Sequence, residues 1–251
     1  MSLRRFLVPP RALAGAGEVE LPPEEALHAR RVLRLSPGEE VFLLDGRGRV
    51  ARARLTRVSK KGVTALAEEA SAPPPPRPRL VLCPGLLKAP AMDFLAKKLT
   101  ELCVDQVRPF VSQRTAPRLK NPAARLERWA RLAGQALKQC GAARPPEFAA
   151  PPPLADLLAQ APAGAARIML YEDERGLSLA QALGRRPGAD QVWLLIGPEG
   201  GFGPDEVRAA EEAGFIACGL AGAVLRAETA ALAAASVARF SGILQAERRH
   251  D

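Results

Sequence analysis

Glycine, arginine and carboxylate residues near the carboxyl end of the chain have the types and spacing that favour ligand chemistry. The apolar run 192–196, Val-Trp-Leu-Leu-Ile, leads directly into the stretch 197–203, Gly-Pro-Glu-Gly-Gly-Phe-Gly. Further along, Arg226, Glu228 and Thr229 stand at the start of a long alanine-rich segment. A buried strand that ends in a glycine turn and restarts as a helix lets a ligand approach bare backbone. We therefore predict that the two segments form two walls of one pocket.

The spacing of the glycines limits which ligand fits this turn. The pattern G-x-x-G-G-x-G is not the G-x-G-x-x-G of dinucleotide-binding folds, and it lacks the Lys-Ser/Thr ending of a Walker loop. The helix after the turn begins with Asp205 and Glu206, whose charges favour the helix dipole but would repel a phosphate. We expect a neutral or cationic ligand, and S-adenosylmethionine, which carries a sulfonium, meets that condition. A tight turn without any ligand is the alternative for the glycine stretch taken alone.

Basic residues outnumber acidic residues, 36 to 27, which gives a formal net charge of +9. Most of them are arginine, whose planar fork suits phosphate, so nucleic acid is the favoured partner. A charged surface of the kind found in thermophiles is the alternative explanation.

Cysteine and histidine are too few and too scattered for several kinds of chemistry. The four cysteines include no C-x-x-C pair, which argues against a zinc site and a disulfide framework and leads us to expect a reduced, cytoplasmic location. The two histidines, His28 and His250, leave little room for Ser-His-Asp or Cys-His catalysis. We also expect no metal and no membrane segment, since no apolar run approaches the length of a membrane span.

A stiff polyproline-like connector at residues 71–78 divides the chain into predicted domains 1–70 and 79–251. Before the connector, the pattern predicts a small, mainly β domain with one helix and three short strands: Glu24–Leu33, Glu39–Leu44, Val50–Leu55 and Val63–Ala67. After it, strand and helix patterns alternate. The predicted strands are Leu80–Cys83, Gln106–Val111, Arg167–Glu172, Val192–Ile196 and Ile216–Leu220. The predicted helices are Met92–Leu102, one that starts at Asn121-Pro122, Pro204–Ala213, and Glu228 to Glu247. This alternation predicts an α/β domain with a parallel sheet.

Two paired motifs resemble those of a known family. The glycine stretch with Glu206 behind it, and Leu220 followed by 224–230, are similar to the signatures of the SPOUT methyltransferases that methylate N3 of a uridine in 16S (small-subunit) ribosomal RNA. The resemblance extends upstream, to the family's N-terminal PUA-like barrel and central segments, through these residues: His28, Val32-Leu33-Arg34, Gly38, Asp45-Gly46-x-Gly48, Lys97-x-x-Glu101-Leu102, Ser112-x-Arg114 and the stretch 139–147.

The resemblance implies a fold, a cofactor and an assembly. The fold is α/β, with a C-terminal trefoil-knotted SPOUT methyltransferase domain and an N-terminal PUA-like β-barrel domain, and the family works as a homodimer. The apolar 230–237 face is either a dimer surface or the face of an ordinary core helix. Three loops, after Leu170, Ile196 and Leu220, would enclose S-adenosylmethionine. The implied cofactor-binding residues are Leu170, Ile196, Gly197, Glu199, Gly200, Gly201, Leu220, Val224, Leu225, Glu228 and Thr229.

The implied reaction requires that uridine N3 lose its proton before it attacks a methyl group. With no metal ligands and almost no histidine, arginine is the economical means of stabilising the uracil anion. Arg226 is the first candidate because it adjoins the predicted pocket, and Arg114 is the second, from the same or the other subunit. Glu199 or Glu228 would accept the proton or orient an arginine. For Glu228, at a helix start, a capping role is an equal alternative.

The implied substrate is 16S ribosomal RNA or the small ribosomal subunit, from which the target base must be splayed out of its stack. The residues predicted to hold phosphates, with a salt-dependent affinity, are Arg30, Arg34, Arg125, Arg128 and Arg144. Two alternatives remain open. One is a SPOUT enzyme that acts on a different RNA or base atom, and the other is a non-catalytic RNA-binding protein of ribosome assembly.

Overall fold

The chain folds as two compact units. In this computed structural model, which describes residues 4–116, 119, 121–220 and 224–241, the first unit comprises residues 1–74 and 134–145. The second unit comprises residues 75–133 and 146–251. The segment 134–145 groups with the N-terminal residues although it follows the polyproline connector. The division into domains at that connector stays a prediction.

A five-stranded sheet with the order β1-β3-β4-β5-β2 forms the first unit. Its strands are β1 (Arg4–Leu7), β2 (Gly17–Glu20), β3 (Glu40–Leu44), β4 (Val50–Ser59) and β5 (Gly62–Ala67). The strands pair antiparallel except β1 and β3, which pair in parallel. Side chains along β4 alternate between buried and exposed, as they do in a half-buried strand, and Leu55 and Phe6 lie in the core on one face.

The three strands predicted in the first unit are confirmed, with β4 four residues longer than predicted. The predicted helix is α1 (Pro23–Leu27), which continues as a π-helical turn at His28–Val32. The short strands β1 and β2 were not predicted, because each has only one buried residue among four, Phe6 and Val19 respectively. Among the described residues no ladder joins the edge strands β1 and β2, and the predicted barrel stays a prediction.

A six-stranded sheet with the order β11-β9-β10-β6-β7-β8 forms the second unit. Its strands are β6 (Arg79–Pro84), β7 (Gln106–Val107), β8 (Glu147–Phe148), β9 (Ala166–Leu170), β10 (Gln191–Ile196) and β11 (Ile216–Cys218). Every pair of neighbours is parallel, which confirms the predicted α/β domain with a parallel sheet. The helices are α2 (Ala89–Glu101), α3 (Pro122–Cys140), α4 (Leu154–Leu158), α5 (Leu179–Gly184), α6 (Pro204–Glu212) and α7 (Ala227–Phe240). The last residues of α3, from Gly134 onwards, group with the first unit.

Several predicted elements differ from the structure in extent. The strand predicted at Gln106–Val111 covers only Gln106–Val107, although the N–H groups of Arg108 and Phe110 still donate to the Leu82 and Pro84 carbonyls at 2.8 and 3.1 Å. The elements β8, α4 and α5 are only two, five and six residues long, too short to show a hydrophobic period. Helix α7 ends at Phe240, and residues 242–247 of the predicted helix lie outside the described residues.

Both faces of the parallel sheet are buried, so its central strands are mainly apolar. Leu194 points into a core shared with α2, α5 and α7, whereas its neighbour Trp193 points into a second core shared with α4 and α6. Ala231, Ala234 and Ala235 of α7 are fully buried in the first of these cores, which favours a core helix over a dimer surface for that face.

An arginine anchors α7 to the sheet. Arg239 is only 6% exposed, and its guanidinium donates hydrogen bonds to the carbonyl oxygens of Pro78 (2.8 Å) and Cys103 (2.6 Å) and to Asp105 Oδ2 (3.2 Å). This anchor fixes the helix whose first residues follow the predicted ligand-binding segment.

Within the described parts of the chain, no helix combines the length and the apolar character that crossing a membrane requires.

Candidate cofactor and catalytic site

The carboxyl ends of four parallel strands lie in register at one edge of the sheet. Ile196 of β10 is aligned with Leu170 of β9 on one side and with Pro84 of β6 on the other, and Leu170 is aligned with Cys218 of β11. The loops that leave β9, β10 and β11 therefore start side by side. This edge is where open parallel sheets bind ligands, and it brings together the three loops that the sequence predicted to meet.

The glycine turn after β10 is shaped by close contacts with neighbouring segments. Gly201 has a φ of +69°, which favours glycine, and its N–H donates to the Pro198 carbonyl at 2.9 Å. A Cβ on Gly200 would lie 3.1 Å from the Cβ of Arg114, and one on Gly201 would lie 3.0 Å from Glu172 Oε1. The glycines thus allow other parts of the same unit to approach the turn, a role that the sequence pattern did not distinguish from ligand binding.

Arg114 lies against this turn. Its Nη1 donates a hydrogen bond to the Gly200 carbonyl at 3.0 Å, while its backbone N–H donates to Ser112 Oγ at 3.2 Å. The side chain is exposed, so the guanidinium combines a fixed position with access to solvent. The arginine that the sequence ranked second is therefore at the predicted pocket within one chain.

Glu206 fastens the segment that carries Arg114. Its side chain is buried, Oε2 accepts the N–H of Gly203 at 2.9 Å, and Oε1 accepts the N–H of Gln113 at 2.9 Å. Sequence reasoning treated Glu206 as a helix-dipole residue and as part of the motif that resembles the family, and gave it no contact with another segment. A glutamate at the third position of the helix is the usual partner in a capping box, and that signal indicates the Gly203 contact but not the Gln113 contact.

An acidic loop, residues 172–174, follows β9. A hydrogen bond with the Asp173 side chain raises the pKa of Tyr171 above its usual range, and the nearby Arg114 charge opposes that shift. Arg114 therefore acts electrostatically on this loop as well as on the glycine turn. Glu174 fixes the loop, since its Oε1 accepts the N–H groups of Gly176 (2.7 Å) and Leu177 (3.1 Å).

The segment predicted to contact adenine ends in exposed apolar side chains. Val224 is 80% exposed and Leu225 is 39% exposed, while Leu220 is half-buried. Arg226 is the N-cap of α7 with an exposed side chain, and Glu228 lies in the first turn of the helix. Within the described residues a hydrogen bond joins Arg114 to the glycine turn, and none joins Arg226 to it.

Glu199 and Thr229 lie at the amino-terminal ends of two helices, α2 and α7 respectively. The Glu199 carboxylate accepts the backbone N–H of Lys88, the N-cap of α2, at 3.4 Å, so its charge lies at the positive end of that helix. Thr229 is exposed on the first turn of α7. A proton-accepting role for Glu199 stays a prediction.

The arginines predicted to bind RNA lie in different settings. In the first unit, Arg30 lies in the π-helical turn, Arg34 is exposed, and the exposed Arg144 has its Nε 3.7 Å from where a Cβ on Gly48 would lie. In the second unit, Arg125 is half-buried. Arg128 donates from two nitrogens to the Asp93 carboxylate, at 2.6 to 3.0 Å, and this pairing raises the pKa of Arg128 further above neutrality. The charge of Arg128 is thus partly neutralised before any RNA binds.

Among the residues that the structure describes, no cluster of three or more histidine, cysteine or acidic side chains is arranged to hold a metal ion.

Comparison with known proteins finds relatives along most of the chain. Residues 74–239 match the family described as an RNA methyltransferase domain, and residues 21–68 match the one described as an RNA methyltransferase PUA domain. The chain is 32% identical over 222 residues to the ribosomal RNA small subunit methyltransferase E of Mycobacterium bovis, covering 84% of this chain and 82% of that protein. The Bacillus subtilis protein of the same name is 27% identical over 224 residues, covering 86% and 88%. A crystal structure of this methyltransferase from Neisseria gonorrhoeae, bound to S-adenosyl methionine, is similar with a TM-score of 0.81 and 30% identity, over 94% of this chain and 96% of that one.

Proposed function

This chain belongs to the ribosomal RNA small subunit methyltransferase E family, as the sequence motifs predicted, and we propose that it transfers a methyl group from S-adenosylmethionine to N3 of a specific uridine in 16S ribosomal RNA. One observation carries the proposal. The loops after Leu170, Ile196 and Cys218 start side by side at one sheet edge, inside the segment 74–239 that matches an RNA methyltransferase domain.

The residues at this edge suit the cofactor. The exposed apolar side chains of Val224 and Leu225 offer a surface for a flat adenine ring, and the carboxylate of Glu172 beside the turn suits a cationic ligand. When bound, S-adenosylmethionine supplies a methyl group activated by its sulfonium. The residues that would hold it are those predicted from the sequence: Leu170, Ile196, Gly197, Glu199, Gly200, Gly201, Leu220, Val224, Leu225, Glu228 and Thr229.

Two arginines would stabilise the uracil anion. Arg114 is held on the turn through the Gly200 carbonyl, and its exposed guanidinium is free to turn its remaining N–H groups towards a substrate oxygen. Arg226, at the N-cap of α7, would complete the positive environment once RNA and cofactor are in place. Glu199 or Glu228 would receive the N3 proton or orient an arginine.

The proposed chain path in the second unit is a trefoil knot. Support comes from the close passage of two segments, because a Cβ on Gly219 would lie 2.2 Å from the Glu174 carbonyl oxygen. Gly219 also exchanges backbone hydrogen bonds with the loop after β9, to Leu177 and from Leu179, before α7 returns to pack on β10 and β6. A homodimer forms part of the proposal, supported by the exposed Phe94 of α2 and Phe240 of α7, which are 42% and 68% exposed.

The two family matches support separate functions for two parts of the chain. We assign residues 1–70 to an RNA-binding PUA-like barrel, residues 71–78 to a linker and residues 79–251 to the methyltransferase domain. The proposed partner is 16S ribosomal RNA or the small ribosomal subunit, and the proposed location is the cytoplasm. Arg30, Arg34, Arg125, Arg128 and Arg144 would contact phosphates, with Arg128 contributing least because Asp93 already pairs with it.

The test is methyl transfer from labelled S-adenosylmethionine to unmodified 16S ribosomal RNA, offered both as free RNA and within small subunits, followed by mass spectrometry of the nucleosides. The expected product is 3-methyluridine at a single position. A different methylated nucleoside, or transfer only to another RNA, would support a SPOUT enzyme with another acceptor. RNA binding without any methyl transfer would support a non-catalytic assembly protein and overturn the proposal.

A further inference from the structure

Glu206 connects two segments that are distant in sequence. It lies in the first turn of α6, is only 6% exposed, and uses one carboxylate oxygen for the Gly203 N–H and the other for the Gln113 N–H. The Gly203 contact spans three residues and closes the cap of α6 itself. The Gln113 contact spans 93 residues, and a helix cap does not require it.

A carboxylate is well suited to this connection. A buried charged group must be compensated, and two N–H donors together with the positive end of α6 provide that compensation. Both bonds require an acceptor, so a side chain that presents one acceptor and one donor cannot make both. The negative charge and the two equivalent oxygens of Glu206 are therefore matched to two backbone donors from different segments.

The Gln113 contact determines where Arg114 lies. Besides the Gln113–Glu206 hydrogen bond, the described residues show one hydrogen bond between the segment 112–114 and the glycine turn. The Arg114 side chain donates it to the Gly200 carbonyl. That side chain is exposed, and in the proposed reaction it must also stabilise the substrate. Because Gln113 provides a second attachment, the Arg114 side chain does not hold its own segment in place alone.

We infer that Glu206 is a positioning residue for methyl transfer: it holds the segment 112–114 on the glycine turn so that the Arg114 guanidinium is fixed beside the reacting base. This inference rests on the proposed function. The inferred role is indirect, because the buried Glu206 carboxylate acts through the N–H groups of Gln113 and Gly203 that it accepts.

The first experiment compares Glu206→Gln with Asp205→Asn. Both remove one negative charge from the first turn of α6, but Asp205 is exposed and pairs with Arg208 on the surface. We expect kcat to fall by about 10- to 100-fold in Glu206→Gln, since small displacements of a catalytic group have effects of this size. The KM for S-adenosylmethionine should change much less than kcat. Asp205→Asn should stay within about twofold of the wild type for both constants.

A double-mutant cycle separates positioning from general support of the fold. In an Arg114→Ala background, Glu206→Gln should lower kcat by less than about threefold, because its effect requires the arginine. Additive losses would overturn the inference, and so would an unchanged kcat in the single variant. If Glu206→Gln does not fold, Glu206→Asp, whose shorter side chain cannot reach both donors, takes its place in the same cycle.

Hydrogen exchange provides a measurement that does not depend on activity. The Gln113 amide should exchange faster in Glu206→Gln than in the wild type, while Asp205→Asn leaves it unchanged. Unaltered exchange at Gln113 would contradict the inference. A wild-type protein without methyl transfer would contradict the proposed function instead, so the two failures are distinguishable.

Discussion

Replacement of the buried arginine of α7 tests how the helix that carries Arg226 is held. In Arg239→Met, Asp105 loses its charged partner and the carbonyl oxygens of Pro78 and Cys103 lose their donor. Breaking a buried pair in this way costs about 3–5 kcal/mol. Two features favour the lower end of that range. Asp105 Oδ2 keeps the Leu80 N–H at 2.8 Å, and methionine removes the buried Arg239 Nε, which has no hydrogen-bond partner among the described residues.

We therefore expect the free energy of unfolding of the second unit to fall by about 3 kcal/mol in Arg239→Met. With a denaturant slope near the upper end of about 1–3 kcal/mol/M, the urea midpoint should drop by roughly 1 M. Tryptophan fluorescence is the appropriate probe, because both tryptophans of the chain, Trp129 and Trp193, lie in the second unit.

Arg128→Met is the matched control, since it removes the same side chain from a pair with comparable hydrogen bonds. The Arg128 side chain is 46% exposed, against 4% for Arg239, and exposed pairs contribute only about 0–1 kcal/mol. Equal midpoints for the two variants would refute the reasoning, because burial would then not decide the cost of losing the arginine.

Three further predictions concern the site and its surroundings. Gly201→Ala should lower stability by about 1–2 kcal/mol, measured by denaturation, because φ at this position is +69° and the new Cβ would meet Glu172 Oε1 at 3.0 Å; an unchanged midpoint would contradict this. Arg226→Ala should leave S-adenosylmethionine binding by calorimetry intact while lowering kcat by about 10²–10³-fold, and a parallel loss of binding would assign Arg226 to the cofactor. Burial raises the pKa of Cys218 to about 12, so its thiol should resist alkylation at pH 8. The half-buried Cys103 and Cys140 should react first, and early labelling at Cys218 in mass spectrometry would refute this.

The same burial gives Cys218 a defined effect on stability at high pH. A folded-state pKa of about 12, against an ordinary value of 9.0, means that the folded protein retains a proton that the unfolded chain loses. The associated stability is fully present below pH 9 and is lost as the pH rises towards 12. Replacement by alanine should flatten this part of a stability profile.

Those parts of the fold that depend on local pattern were predictable from the sequence. The continuous apolar run at Val192–Ile196 has the character of a strand buried on both faces, and that is the position of β10 in the centre of the sheet. Parallel pairing puts the carboxyl ends of β9 and β10 at the same edge of the sheet, and the loops predicted to meet are found there. Helix α5 was missed although Ser178 and Gln181 form a capping box, because the helix is only six residues long.

Contacts between distant segments could not be read in this way. The Glu206–Gln113 contact joins residues 93 positions apart, and nothing in the local pattern of either segment specifies the other. The identity of the group that approaches the glycines could not be read from the sequence either. Their spacing indicates close approach, but whether a ligand or the chain itself approaches depends on where Arg114 and Glu172 lie.

The geometry separates the tasks of the two candidate arginines, which the sequence treated as alternatives. Arg114 is held on the turn by its own chain through Gly200 and, at the neighbouring residue, through Glu206, so its position does not require a ligand. Arg226 is the N-cap residue of α7, and its side chain is exposed. The position of its guanidinium relative to a base therefore depends on what binds beside it. A fixed charge provides preorganised stabilisation, whereas a mobile one must be ordered during each turnover. Loss of Arg114 should therefore reduce kcat with little change in RNA affinity. The reduction of kcat on loss of Arg226 should depend more strongly on the sequence of the bound RNA.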